Sequence, residues 1–360
     1  MLRNFVENCG ADFRSWTREN IPHPDQWEHN GHRRFYRQRF SGILPSPWNS
    51  SLIENPQHNM RSYLQLCRLP AVFTALADIL MGHLLRHEQF GGPMPLLGLL
   101  TASAGLYLGG MVFNDIFDRE IDARERPQRP IPSGQVSLRH AVIFGAVLIL
   151  CGWLGAAAVG RTAVLVVACL TAAVFAYDGG LKKTFLGPLV MGGCRFFNVL
   201  LGASGGTSWS ELWGMPQVWI AGSLAVYVAG VTYVARNEAT ISTIWPLLWG
   251  VFVVNLGLAG LMGWGGQFGA LKQFAGNGRA ENAIILLAVI GLSINRWLLS
   301  ALVLRTPRAV QECVKMLLWS IITLDAAVVF CRWGPAAAVP MFAIFALLGP
   351  MLLLRRILIT

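Results

Sequence analysis

The chain has 360 residues, of which 54% are hydrophobic and 13% charged, and its formal net charge is +10 with a pI near 9.7. Soluble domains carry roughly 25% charged residues, so this composition excludes an ordinary soluble protein and predicts a chain that crosses a membrane several times. The Lys and Arg residues flank apolar runs, which favours membrane topology and anionic lipid as their explanation and argues against nucleic-acid binding.

Residues 1–60 differ from the rest of the chain and are predicted to form a polar, basic tail ahead of a membrane domain at 61–360. Five prolines interrupt the tail, which predicts at most one short surface helix. No apolar run follows Met1, so no secretory signal is predicted.

A series of apolar stretches follows, each close to the roughly 20 residues that a helix needs to cross a bilayer. They predict an all-α, polytopic membrane bundle of nine or ten helices. The stretches lie near 69–87, 94–113, 138–160, 162–177, 186–206, 216–235, 241–265, 283–304, 312–331 and 336–354.

The distribution of basic residues predicts the orientation, because short cytoplasmic loops hold an excess of Lys and Arg. The loops on one side of the membrane contain more Lys and Arg than those on the other, and we expect them and the N-terminus to be cytoplasmic. If the source is bacterial, the membrane is expected to be the plasma membrane. These loops hold Arg119, Arg124, Arg126, Arg129, Arg139, Lys182, Lys183, Arg236, Arg305, Arg308, Lys315, Arg355 and Arg356; the opposite loops hold Arg86, Arg161, Lys272, Arg279 and Arg332.

An acidic motif follows the apolar run that ends at Phe113 and contains Asn114, Asp115, Asp118 and Asp122. The spacing of the three carboxylates predicts that they share one helix face. Three like charges beside hydrocarbon repel one another unless a cation lies among them, and oxygen ligands of this kind suit Mg²⁺. The sequence therefore predicts a magnesium site that receives a phosphate group.

Basic and amide side chains on nearby segments are the candidates for binding that phosphate, since guanidinium groups match phosphate oxygens in pairs. They are Arg126 and Arg129 in a proline-rich loop, Lys182 and Lys183 in the next loop on the same side, and Arg195 and Asn198 inside the span at 186–206. Two further interpretations stay open: the loop arginines only enforce topology, or Arg195 pairs with a carboxylate or a carbonyl within the bundle.

The motif as a whole resembles that of the UbiA superfamily of intramembrane prenyltransferases. The resemblance covers about residues 61–354. It is carried by Asn114-Asp115-x-x-Asp118-x-x-x-Asp122, Arg129-Pro-Ile-Pro-Ser-Gly134, Arg68-x-Pro70 and the segment from Tyr177 to Lys182.

This resemblance implies a helical bundle around a central cavity, with a prenyl diphosphate held at the cytoplasmic end through magnesium. It also implies roles for particular residues. Asn114, Asp115, Asp118 and Asp122 would bind magnesium-diphosphate, and Arg129 and Lys182 would bind phosphate oxygens.

The sequence departs from the family where a second acidic motif is usual, since it reads Arg236-Asn237-Glu238 there. Either Asn237 and Glu238 are the remnant of a metal site, or Arg236 neutralises the diphosphate in place of a metal. With the segments Gly193–Gly202, Val314-Lys315 and Leu324-Asp325-Ala326, this form is similar to the EboC-like branch.

The function expected from these features is magnesium-dependent transfer of an isoprenoid from a prenyl diphosphate to an aromatic or similar nucleophile within membrane lipid, as in 4-hydroxybenzoate prenylation. Asp115, Asp118 and Arg236 are the predicted catalytic residues. Two different functions remain possible on these residues: a non-catalytic protein that binds or transports an isoprenoid or another amphipathic metabolite, and an intramembrane terpene cyclase. A CDP-alcohol phosphotransferase is disfavoured because Asp118–Arg124 lacks the required glycine.

Overall fold

The computed structural model describes residues 60–87, 90, 92–214, 216–236, 244–267 and 279–359, all of which belong to one compact unit. Within these ranges every regular element is helical. The helices are α1 (Met60–Leu66), α2 (Val72–Arg86), α3 (Pro93–Phe117), α4 (Arg119–Glu125), α5 (Leu138–Val159), α6 (Arg161–Asp178), α7 (Gly187–Ala203), α8 (Trp209–Leu212), α9 (Gln217–Ala235), α10 (Ile244–Gln267), α11 (Arg279–Leu304), α12 (Pro307–Trp333), α13 (Ala338–Ala346) and α14 (Leu348–Ile359).

The predicted all-α membrane bundle is confirmed. Eight described helical stretches are long and apolar enough to cross a membrane, and the last of them, Pro307–Leu354, contains two predicted spans that meet at Trp333. The predicted span at 186–206 is a shorter apolar helix, Gly187–Ala203. With both counted, the described part of the chain has ten apolar segments. The predicted tail lies outside the described residues, except Met60, and its boundary stays a prediction.

The helices pack in a closed circuit. α2 contacts α3, and the circuit continues through α5, α6, α7, α9, α10, α11 and α12, which returns to α2. α2 and α7 also pack directly against each other across this circuit. The chain therefore brings helices that are far apart in sequence, such as α2 and α12, into one interior.

Small residues allow the closest of these contacts. A Cβ atom added at Gly105 of α3 would lie 2.5 Å from the carbonyl oxygen of Leu148 on α5, and one at Gly152 would lie 3.0 Å from that of Ala102. No larger side chain fits unless the helices separate. Such contacts are typical of membrane helices, where hydrophobic burial does not drive helix association.

The outer faces of the bundle are apolar. Large side chains that are mostly exposed include Leu150 and Leu154 on α5, Trp249 on α10, and Leu292 and Leu299 on α11. A soluble monomer rarely exposes so much contiguous apolar surface. A bilayer would cover these faces, in agreement with the length of the helices.

Candidate functional site

The acidic motif lies where α3 ends and α4 begins, and basic side chains from other segments surround it. Asp115 Oδ1 accepts from Arg68 Nη2 at 2.9 Å and from Arg129 Nη1 at 3.2 Å. The same Arg129 nitrogen lies 2.5 Å from Asp122 Oδ2. The proline-rich loop therefore folds back over the motif, and its Arg129 joins the first and last carboxylates.

The middle carboxylate has a partner from a different loop. Asp118 Oδ2 accepts from Lys182 Nζ at 2.7 Å, and both side chains are largely buried. Lys182 belongs to a short 3₁₀ helix, Leu181–Lys183, that follows α6. Next to this pair, Asn114 Nδ2 donates to Asp178 Oδ1 at 2.6 Å, so the end of α6 contributes a fourth carboxylate.

We call the eight side chains joined by these bonds the motif cluster. Four are carboxylates, three are cations and one is an amide. The members are Arg68, Asn114, Asp115, Asp118, Asp122, Arg129, Asp178 and Lys182.

The prediction that the three carboxylates share one helix face is wrong in detail, because α3 ends at Phe117 and α4 starts at Arg119. Asp118 joins them with φ −87° and ψ 0°. Backbone bonds from Asp118 N to Asn114 O and from Asp122 N to Asp118 O persist across the junction. Asp115 and Asp122 therefore still reach one guanidinium, whereas Asp118 turns to Lys182.

Arg68 has an unusual backbone conformation, with φ 47° and ψ 46° in the left-handed region. A residue with a Cβ atom adopts this conformation at a cost of about 1–2 kcal/mol, so the surroundings must hold it there. Its ion pair with Asp115 and the packing of Leu66 and Cys67, which are 0% and 3% exposed, do so.

The remaining predicted cations lie at the edge of the motif cluster. Lys183 is exposed, and it lines an open pocket of about 470 Å³ together with Lys182, Thr184, Phe185 and Arg236. Arg236, at the end of α9, donates to the carbonyl oxygen of Thr184. This bond ties the loop after α6 to the end of α9 beside the acidic motif.

Two more predicted residues stand apart. Arg126 is exposed at the end of α4, and its role stays a prediction. Glu238, a predicted metal ligand, and the adjacent Asn237 lie outside the described residues.

Arg195 and Asn198 do not join the motif cluster. Arg195 Nη1 donates to Asp78 Oδ2 at 2.6 Å, and Asn198 Nδ2 donates to the same oxygen at 2.8 Å. Asn198 Oδ1 accepts from Ser103. Arg195 therefore pairs with a carboxylate inside the bundle, which is one of the interpretations that the sequence left open. The contact of these two residues with diphosphate stays a prediction.

The donor atoms at the motif suit magnesium in kind. Asn114, Asp115, Asp118 and Asp122 offer only oxygen, which hard divalent ions prefer. In the described part of the chain, however, no three acidic, His or Cys side chains converge as metal ligands. Each motif carboxylate is instead turned toward an Arg or Lys.

Burial and charge at the motif affect one neighbouring thiol. Burial, and secondly the negative charge of Asp115, raise the pKa of Cys67 to about 12. The thiol is therefore un-ionised and weakly nucleophilic, and it reports on the environment of Asp115.

Four interacting residues were not among the predicted site residues. Arg68, Asp178 and Asp325 lie in segments that carry the family resemblance, but no site role is predicted for them. Asp78 and Asp325 interrupt apolar runs, as Arg195 does, and the rule that a charge inside a span marks a functional candidate applies to them equally. That signal was present in the sequence.

Comparison with known proteins identifies the family of this chain. The family model described as the UbiA prenyltransferase family matches residues 75–357. Digeranylgeranylglyceryl phosphate synthase of Saccharolobus solfataricus is 32% identical over 149 residues, covering 40% of this chain and 51% of that protein. The protein of the same name from Methanopyrus kandleri is 32% identical over 148 residues, covering 40% and 54%. The chain thus matches about half the length of these curated relatives.

Solved structures support the fold. A UbiA homolog from Aeropyrum pernix K1, in its apo form, superposes with a TM-score of 0.58 at 21% identity, covering 72% of this chain and 96% of that one. A chain described under the biosynthesis of digeranylgeranylglyceryl phosphate synthase in membranes gives a TM-score of 0.55 at 20% identity, covering 76% and 98%. At these identities the likeness concerns the helical architecture alone.

Proposed function

The chain belongs to the UbiA prenyltransferase family and is an integral membrane protein, and from this premise we propose that it transfers an isoprenoid from a prenyl diphosphate to a nucleophilic acceptor. The proposal rests on the motif cluster, in which four carboxylates and three cations meet at one end of an apolar bundle. Such a cluster suits a ligand with a highly charged head and an apolar tail.

Three cations offset three of the four carboxylates of the motif cluster, and the cluster reaches solvent at Arg68, so its charges are stabilised beside a membrane. Binding of a magnesium-diphosphate head group would let the carboxylates and the cations of the motif cluster exchange each other for the ligand. The carboxylates of Asp115, Asp118 and Asp122 would turn to the metal, and Arg68, Arg129 and Lys182 would turn to phosphate oxygens. An exchange of this kind keeps each charge paired in the bound state.

Magnesium, when bound by Asn114 and the three motif carboxylates, supplies positive charge that offsets the negative charge of the leaving group. Glu238 remains a proposed further ligand. The guanidinium groups of Arg68 and Arg129 and the ammonium of Lys182 add to that stabilisation, and well-placed donors of this kind contribute about 3–4 kcal/mol each.

The proposed reaction breaks the bond between the allylic carbon and the diphosphate oxygen, and the electron pair leaves with the diphosphate. The acceptor attacks the resulting cation with its own electron pair and loses a proton. Asp115 and Asp118 act by holding the charged head, and Arg236 stabilises it where a second acidic motif is usual in the family.

The acceptor is proposed to carry an anionic group. The open pocket beside Asp118 has three cations among its lining residues, Lys182, Lys183 and Arg236. An aromatic acid, as the sequence-based interpretation expects, satisfies this requirement. A glyceryl phosphate satisfies it equally, and the names of the curated relatives favour that class.

Diphosphate release tests the proposal. Purified protein is supplied with magnesium, a farnesyl or geranylgeranyl diphosphate, and either an aromatic acid or a prenylated glyceryl phosphate. We expect release that requires one acceptor class and ends when the metal is chelated. If no diphosphate is released with either class of acceptor, at protein concentrations that bind the prenyl diphosphate, the proposed enzyme activity is contradicted. A binding or transport protein is then favoured.

A terpene cyclase would be recognised in the same assay, because its product forms from the prenyl diphosphate without any acceptor.

For a matched pair of variants, we expect Arg236→Gln to lower turnover by about 100-fold. Arg124→Gln, an exposed change in α4, should have little effect on turnover. The cytoplasmic location of this end of the bundle is also proposed, and labelling of single cysteines placed in the α4–α5 loop of intact cells tests it.

A further inference from the structure

A second group of ionisable side chains lies in the interior of the bundle. Asp78 in the middle of α2 and Asp325 in α12 are both 0% exposed. Their carboxyl groups contact each other across the interface between these helices. Arg195 and Asn198 of α7 complete what we call the interior cluster.

The oxygens of this cluster are unequally satisfied. Asp78 Oδ2 accepts from both Arg195 Nη1 and Asn198 Nδ2. Among the described residues, Asp78 Oδ1 and both oxygens of Asp325 have no hydrogen-bond donor. A buried polar atom without a partner costs about 1–3 kcal/mol, and a buried unpaired carboxylate costs more.

The charges do not balance either. Two carboxylates face one guanidinium, which leaves one negative charge in excess when both are ionised. In the described ranges, the other groups turned toward the cluster are neutral: Asn198, Ser103 and Thr74 take part through hydrogen bonds, and Tyr107 of α3 lies beside Arg195. One additional positive charge is therefore missing.

We propose that Asp78 and Asp325 form a binding site for one exchangeable monovalent cation, either a proton or an alkali-metal ion. An alkali-metal ion can be ligated by all three free oxygens, and a shared proton joins two of them through one O–H···O bond. Either cation makes the interior cluster neutral. A divalent ion would leave an excess positive charge in the apolar interior. The site does not use the motif cluster and does not depend on the proposed transfer reaction.

The occupied site joins three helices. The cation connects α2 to α12 through the two carboxylates, and Asp78 connects both to α7 through Arg195. Loss of the cation leaves two facing carboxylates that repel each other. Occupancy is therefore expected to stabilise the bundle.

The test measures thermal unfolding of the full chain in detergent, from acidic to alkaline pH, in a choline salt and then with sodium, potassium or lithium at the same ionic strength. For the wild type we expect the midpoint to rise by at least about 2 °C on acidification or on addition of an alkali ion. In Asp325→Asn the amide donates to Asp78 Oδ1 and removes the excess charge. We expect this variant to fold, and its unfolding midpoint should no longer rise on acidification or on addition of an alkali ion.

Two controls identify the cation. Glu120→Gln removes an exposed carboxylate in α4 and should keep the wild-type dependence. An infrared band of a protonated carboxyl group, present in the wild type and absent from Asp325→Asn, indicates the proton. A midpoint that rises with an alkali ion at fixed pH indicates the metal.

The proposal is overturned if the wild type responds to neither pH nor alkali ions. It is also overturned if Asp325→Asn responds as strongly as the wild type, since the cation would then bind elsewhere.

Discussion

The motif cluster and the interior cluster both combine Asp with Arg and Asn, and only the motif cluster also contains a Lys. The two clusters nevertheless differ in charge and in solvation. In the motif cluster Asp115, Asp118 and Asp122 each have a cation, and Arg68 is 40% exposed. In the interior cluster two carboxylates are fully buried, and the one guanidinium, that of Arg195, pairs with Asp78 alone. A cluster that reaches solvent can exchange its partners with a charged diphosphate ligand, whereas an interior cluster is stable only when its charge is balanced inside the bundle.

The largest effect is expected from removing the guanidinium of the interior cluster. Arg195→Gln leaves Asp78 and Asp325 facing each other without a guanidinium group. Breaking a buried ion pair in this way costs about 3–5 kcal/mol. We expect a corresponding fall in the free energy of unfolding, measured by denaturant titration in mixed micelles.

A double-mutant cycle controls this measurement. Arg195→Gln combined with Asp78→Asn removes both charges of the pair and should recover part of the loss, by more than about 0.5 kcal/mol beyond additivity. Additive effects would mean that the pair does not stabilise the bundle. Arg119→Gln, in an exposed pair with Glu120, is expected to change stability by less than about 1 kcal/mol.

The next largest effect is expected on activity, at the motif cluster. Asp115→Asn removes the carboxylate that accepts from both Arg68 and Arg129, and we expect diphosphate release to fall by about 100- to 1,000-fold. Because this cluster reaches solvent, the two arginines can be rehydrated, so stability should fall less than in Arg195→Gln. Equal loss of stability in the two variants would remove the distinction between the clusters.

The motif cluster was largely predictable from sequence because its parts are local. Asn114 to Asp122 follow an apolar run, and Arg129 follows within one short loop, so spacing alone brings them together. Lys182 was predictable because positive-inside topology returns its loop to the same end of the bundle. Helix type and approximate span limits followed from the length of the apolar runs.

The interior cluster was not predicted because its contacts depend on helix packing. Asp78 and Asp325 are far apart in sequence, and only the return of α12 to α2 makes them neighbours. Arg195 was recognised as a charge in a span, but its partner could not be named. The break at Asp118 was also missed, since the carboxylate spacing is compatible with one continuous helix.

A smaller effect separates packing from charge on α7, which carries Arg195. A Cβ atom at Gly192 would overlap the carbonyl oxygen of Ala225 on α9, whereas one at the adjacent Gly193 would meet nothing within 4 Å. We expect Gly192→Ala to lower the free energy of unfolding by about 1–3 kcal/mol. Gly193→Ala should leave it unchanged or raise it by up to about 1 kcal/mol. Equal effects would mean that α7 and α9 do not pack closely at Gly192.

The smallest effect uses Cys67 to show that the two clusters are independent. With its pKa raised from 9.0 to about 12, this thiol should react with a maleimide about 1,000-fold more slowly than an ordinary one at the same pH. Asp115→Asn removes the second cause of the shift, so labelling at Cys67, followed by mass spectrometry, should accelerate a few-fold. Asp78→Asn changes only the interior cluster and should leave the rate unchanged. Equal acceleration in both variants would mean that a disturbance of the interior reaches the motif cluster, and the two would then have to be treated as one charge network.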